Sequence, residues 1–205
     1  MEKNLVFERD AKYRAARVEA ISILDTIDLP YHNKAHALDV ELTAVTLAKG
    51  EGVQGKNLLL VSLAGIFHDT GHKVRAEKNE PEGAKFAESA MLRAGYAQHE
   101  IKLVRDMIIY GTTLPQEPRS VFEKILADAD VANLGREDFF RQGDLLKTEF
   151  GIGDTLKWLK SSLAFIKGHS FFTETAKGMY ELKQQDNVSE LERRIAVLES
   201  GMRLS

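Results

Sequence analysis

The sequence predicts an all-α protein. Apolar residues recur at threes and fours through long stretches, which is helical spacing and not the strict alternation of a half-buried strand. Only four prolines interrupt the 205 residues, at positions 30, 81, 115 and 118. No Asn-Gly or Asp-Gly pair offers a hairpin turn, and β-branched residues do not cluster.

Taken in order, the first helix is expected from Leu5 to Ile27, where charges fill the face opposite the apolar residues. Leu29-Pro30-Tyr31 ends it, because proline disfavours helical geometry in the residue before it. Asn33 is a good N-cap for a second helix reaching about Lys49, with Gly50 and Gly52 as its stop. Residues 56 to 69 are apolar on nearly all sides and read as the central helix of a bundle, stopped at Gly71. Pro81 suits the first turn of a helix running to Arg93, with Gly95 after it. Further helices are expected near 97–110, 119–133, 137–149, 153–167 and 170–184. The tail places Val188, Leu191, Ile195, Leu198 and Met202 at alternating threes and fours, a seam two heptads long. A coiled coil wants three or four heptads, so the tail reads as a helix docked on its own domain; a homodimer contact is the alternative. The whole chain, 1–205, is expected to be one domain, with its motifs in a core at about 31–135 and C-terminal helices over 137–205.

Composition narrows the chemistry. A chain of this length buries roughly 70% of its unfolded surface and needs no disulfide or metal to fold. The absence of cysteine excludes thiolate metal sites, iron–sulfur clusters and cysteine nucleophiles, and it suits a reducing cytoplasm. A net charge of −3 gives no global footprint for nucleic acid. The most apolar stretch, Asn57 to Phe67, is too short to cross a bilayer, and the charged N-terminal residues do not resemble a signal peptide. A cytoplasmic protein with neither nucleic-acid nor membrane partners is expected.

Four of the six histidines fall in two groups, His32 with His36 and His68 with His72. His32 and His36 are four apart, so on a helix they share a face. Asp69 follows the most apolar helix directly, and Asp130 follows Ile125, Leu126 and Ala129. Carboxylates in such places are costly to desolvate unless a cation or donor compensates them. One metal ion with mixed nitrogen and oxygen ligands explains the costly carboxylates and paired histidines together. His99, in a polar run, reads as an ordinary surface histidine. His169, beside two phenylalanines, is less plainly so.

The order His36, His68-Asp69, Asp130 resembles the ligand series of the HD superfamily of metal-dependent phosphohydrolases, with similarity from about Tyr31 to Gly135 and more loosely to Thr175. Tyr31-His32-Asn33 with His36, Asp39 and Val40 resembles the first signature of cyclic-nucleotide phosphodiesterases. The run Leu126 to Gly135 is similar to the D-A-D-x-x-x-L-G run of predicted bacterial HD phosphohydrolases. The resemblance implies a single-domain HD-type helical bundle. It makes His36, His68, Asp69 and Asp130 metal ligands and His32 the acid that protonates the leaving oxygen. His72 corresponds to a residue lining the phosphate pocket; of the two acids in Asp128-Ala129-Asp130 the second matches the family's closing aspartate, which leaves Asp128 to orient a ligand. Glu80 and Glu82 both lie where similar proteins carry a pocket carboxylate. The chain departs from subfamilies that bind two metals through additional histidines, since Tyr110 and Gly111 stand where one of those would fall.

The expected function is hydrolysis of a phosphomonoester or phosphodiester in a small nucleotide or related phosphorylated metabolite. Asp69, His32 and His72 would carry the chemistry, and Lys73 and Arg75 would steer the phosphate. The divalent ion, one of manganese, magnesium, iron, cobalt, nickel or zinc, would activate a water. Two rivals remain: a nucleotide-binding HD sensor without turnover, and an HD-type iron oxygenase, which the missing histidines disfavour.

Overall fold

The structure, a computed structural model, describes residues 10–75 and 77–202, and every regular element among them is helical. Nine α-helices follow one another: α1 (Ala11–Leu24), α2 (Lys34–Gly50), α3 (Lys56–Phe67), α4 (Glu80–Arg93), α5 (Gln98–Thr112), α6 (Val121–Asp130), α7 (Phe139–Glu149), α8 (Thr155–Gly168) and α9 (Glu174–Met202). Single 3₁₀ turns lie at Thr70–Lys73 and Ala132–Gly135. The all-α expectation holds. No described helix is long and apolar enough to cross a membrane. The chain divides into two compact units, Met1–Asp130 and Val131–Ser205.

Local chemistry sets the helix starts. The Asp10 carboxylate accepts from the Tyr13 amide at 2.9 Å and caps α1, so this helix begins later than the predicted Leu5, whose segment to Arg9 lies outside the described residues. Ser120 and Glu123 form a reciprocal capping box at the start of α6, Oγ accepting from the Glu123 amide and the carboxylate from the Ser120 amide, each at 3.3 Å.

In the first unit α3 is the central helix, packed against α1, α2, α4, α5 and α6. All nine residues from Leu59 to Phe67 are buried, as its all-round apolar sequence requires. Each large apolar side chain fully buried there contributes roughly 1.5–3 kcal/mol. Two of its small residues do something else. Gly65 lets α2 approach closely, since a Cβ there would lie 2.8 Å from Glu41 Cα. Ser62 joins a buried polar cluster: its hydroxyl donates to Glu41 Oε1 at 2.8 Å, as does the Tyr13 hydroxyl, while Arg17 grips both carboxylate oxygens at 2.8 Å. Burial, then the neighbouring Glu41 charge, pushes the Tyr13 phenol above its ordinary value, so it stays a donor. This cluster ties α1, α2 and α3 together at one point.

The helix after Pro81 starts and ends as expected, with Gly95 at φ 82° following it. At the start of α5 the buried Glu100 carboxylate accepts from the Ala97 amide at 2.8 Å and pairs with Lys56. Burial raises its pKa, but Lys56 and the amide outweigh burial and hold it below the ordinary value. A carboxylate depressed in this way stabilises the fold above its unfolded pKa of about 4.3, and that contribution is lost as pH falls through the folded value. Glu100→Gln is expected to cost about 1 kcal/mol at pH 7 and almost nothing at a pH below the folded value. Urea unfolding at the two pH values checks this, and an equal cost at both would contradict it.

In the second unit, α9 packs along α8 and on the 132–135 turn. Leu191 and Ile195 are buried, and Lys167 and Lys160 pair with Glu192 and Glu199. The seam thus docks within its own unit; the Met202 side chain lies outside the described residues. The predicted interruption after residue 184 is absent, and one helix of 29 residues runs through it. Two residues of the polar run at that point, Gln184 and Asn187, are buried and satisfy carbonyls. Gln184 donates to the Ile166 and His169 oxygens at 3.1 and 3.0 Å, and Asn187 to those of Leu134 and Arg136 at 2.9 and 3.0 Å.

Candidate metal centre

Asn33 builds the first wall of the site. Its side-chain oxygen accepts from the Ala35 and His36 amides at 2.8 and 3.3 Å, and its amide nitrogen donates to the Leu29 and Pro30 carbonyls at 3.0 and 3.1 Å. The loop and the start of α2 are thereby held together, with His36 in the first turn. His32 precedes the cap and is not on the helix. The expected shared helical face of His32 and His36 is therefore absent; their rings are 5.9 Å apart and nearly perpendicular. The Tyr31 ring packs against both imidazoles, at 4.8 and 4.7 Å.

The second wall is the end of α3. The helix stops at Phe67, earlier than 69, and the chain tightens into the 70–73 turn. Gly71 does not act as a left-handed stop: a Cβ there would lie 1.9 Å from the Asn79 carbonyl oxygen, so the residue serves close backbone approach. Past the helix end, adjacent His68 and Asp69 converge, Nε2 to Oδ2 at 3.0 Å. His68 Nδ1 lies 2.7 Å from the Gly65 carbonyl oxygen and donates to it, which leaves Nε2 as a lone pair. Asp130, the last residue of α6, supplies the third wall.

Four groups meet there. His36 Nε2 lies 3.3 Å from His68 Nε2, from Asp69 Oδ2 and from Asp130 Oδ1, and His68 Nε2 lies 3.4 Å from Asp130 Oδ1. His68 is wholly buried, and Asp69 Oδ2 is buried without a hydrogen-bond partner. Lone pairs and carboxylate oxygens crowded in this way repel one another unless a cation sits among them. A metal with bonds of about 2.0–2.2 Å holds neighbouring ligand atoms about 2.8–3.6 Å apart in tetrahedral or octahedral geometry, and the contacts here fall in that range. The donor set of two imidazoles and two carboxylates fits a divalent ion.

The electrostatics agree with this fit. Burial disfavours the charged imidazoles, but Asp130 and Asp69 outweigh it and raise His36, and Asp69 and Asp130 raise His68 well above its ordinary value. Burial likewise opposes the carboxylates, but His68 and His36 hold Asp69 well below its ordinary range and His36 and His68 do the same for Asp130. Protons and a divalent ion compete for the same atoms, so metal retention weakens as pH falls.

Around this cluster, the His32 and His72 rings stack at 4.3 Å, 18° from parallel. His72 Nε2 lies 3.7 Å from Asp69 Oδ1 and 3.0 Å from Asn79 Nδ2. Lys73 and Arg75 are exposed, and Arg75 pairs with Glu82 at 3.5 Å, as Lys85 does at 3.0 Å. Glu82 is thus engaged at the surface, whereas Glu80 keeps one buried oxygen without a hydrogen-bond partner. Asp128 is fully buried. His99 is exposed, and His169 sits in the second unit among Phe165, Phe171 and Phe172.

Two residues beside the site escaped the sequence reading. Asn79 precedes Glu80-Pro81, the place of an N-cap, yet its side chain makes no cap bond and turns to His72 instead. Gly65 combines the close approach of two helices with the acceptor for His68, and a lone glycine in an apolar run carries no such signal.

Residues 34–133 match the family model described as the HD domain. Among solved structures, a predicted HD superfamily hydrolase from an uncultured Thermotogales bacterium is similar over 97% of this chain and 99% of that one, with a TM-score of 0.66 and 21% identity. At that identity the likeness speaks to the fold alone. No curated protein matches the chain.

Proposed function

We propose that the chain, which carries an HD domain over residues 34–133, is a metal-dependent phosphohydrolase acting on a small nucleotide or related phosphorylated metabolite. The observation that carries this reading is the convergence of His36, His68, Asp69 and Asp130, with a buried Asp69 oxygen that no hydrogen bond satisfies. These four side chains would hold the ion. A divalent ion so bound lowers the pKa of a water toward roughly 7 and neutralises phosphoryl charge.

The remaining work falls to the chain. The Gly65 carbonyl fixes the His68 tautomer, and Asn33 fixes where His36 enters the site. Asp69, within reach of both ligating imidazoles and of His72, orients the nucleophilic water. His32 stands one ring away from the ligand cluster and donates its imidazole proton to the departing oxygen. His72, held by Asn79, walls the pocket beside it, and Lys73 and Arg75 draw the phosphate in.

The test is a phosphate-release and diester-cleavage panel of nucleoside monophosphates, cyclic nucleotides and an aryl phosphodiester. It is run on metal-stripped protein reconstituted with each candidate ion in turn. Turnover that requires the metal supports the reading; retained metal with no turnover across substrates favours the nucleotide-sensing alternative. His32→Ala is expected to keep its metal and lose about 10²–10⁴ in rate, with the smallest loss on substrates whose leaving groups need no proton. Loss of the metal in that variant would make His32 a ligand and not the acid.

A further inference from the structure

Within the second unit, a cavity of about 300 Å³ opens between α7, α8 and α9. Its apolar surface comes from Trp158, Leu159, Val197 and Leu198, and the indole meets the Phe150 ring edge-on at 6.4 Å. Small-ligand sites begin at about this size and share this character, an apolar lining with a few placed polar groups.

The polar groups are unequal in sign. Lys147, Arg193 and Arg194 border the cavity against a single acid, Asp144. Glu190 serves both arginines, gripping Arg193 at 2.7 and 2.8 Å and Arg194 at 2.7 Å, and those guanidiniums hold its carboxyl down at about 2. Lys147 Nζ donates to the neutral Thr155 hydroxyl at 2.8 Å. Among the described residues that border the cavity or pair with its arginines, three cations thus meet two carboxylates, an excess of one positive charge beside an indole. We infer that this cavity is a second binding site, for a small aromatic monoanion whose ring lies against Trp158 and whose carboxylate or sulfonate group meets Lys147 and the arginines. An anion there replaces the hydroxyl as the partner of Lys147, and a planar ring is favoured by stacking on the indole and by the guanidinium of Arg194, which already covers the Phe140 ring at 3.7 Å.

Trp158 is the sole tryptophan of the chain, so its fluorescence reports on this cavity alone. The probe is 8-anilinonaphthalene-1-sulfonate, compared with the uncharged N-phenyl-1-naphthylamine. The inference expects one sulfonate probe per chain, with energy transfer from Trp158. Lys147→Glu should weaken binding about tenfold by reversing the nearest charge, and the uncharged probe should bind wild type about tenfold more weakly than the sulfonate. Val197→Phe, at a position 60% exposed, should fill the space without adding a second indole and abolish binding. Unchanged circular dichroism in both variants separates a lost site from a lost fold. Equal affinity for the two probes, binding indifferent to both substitutions, or no signal from Trp158 would each overturn the site.

Discussion

Asp69→Ala and Asp130→Ala are each expected to lose bound metal to the background and turnover with it. The reason lies in the five short contacts among the four groups, all between 3.0 and 3.4 Å, of which Asp69 and Asp130 each make two. Removing either carboxylate leaves two imidazoles and one carboxylate, so the ion loses one of its four protein ligands and one of the two negative charges that balance it. Elemental analysis of the purified variants and phosphate release across the panel are the measurements. His99→Ala serves as the control, because His99 is exposed and should change neither quantity. Undiminished metal in either aspartate variant would remove that residue from the site.

Gly65→Ala should destabilise the protein by about 1–3 kcal/mol and weaken metal binding together. Helix propensity alone argues the opposite, since alanine is favoured over glycine by about 1 kcal/mol within a helix. The added Cβ, however, would lie 2.8 Å from Glu41 Cα and 3.1 Å from Glu41 N, which are backbone atoms that cannot swing aside. α2 must then move away from α3, and these helices carry His36 and His68. Thermal unfolding of the metal-free variant gives the first effect and metal titration the second. A stabilised variant with normal affinity would show that the two helices have slack at their crossing.

Much of the frame was legible because its signals act within about four residues. Asn33 as a cap, Pro81 in a first turn and an all-round apolar run at the centre each depend on neighbours along the chain. The errors have the same origin. Gln184 and Asn187 look like an interruption between two helices, because nothing local says that their amides will find carbonyls at 134, 136, 166 and 169. The predicted helix over 119–133 stops at Asp130, and the short 3₁₀ turn after it packs against α9, a contact between segments far apart in the chain.

The site divides along that line too. By itself the sequence determined the all-helical class, the centrality of α3, and the two carboxylates, Asp69 and Asp130, whose desolvation cost asks for a cation; His36 and His68 joined them through the family resemblance. Their meeting point was decided by tertiary structure. His36, His68 and Asp130 belong to three different helices or their ends, and they touch because Gly65 lets two backbones approach while the chain turns tightly after Phe67. The same folding took His32 off the helix, stacked it on His72 and gave His72 an amide partner in Asn79. Residue type records which groups are costly to bury. Only the crossing of the helices determines which of them are buried together.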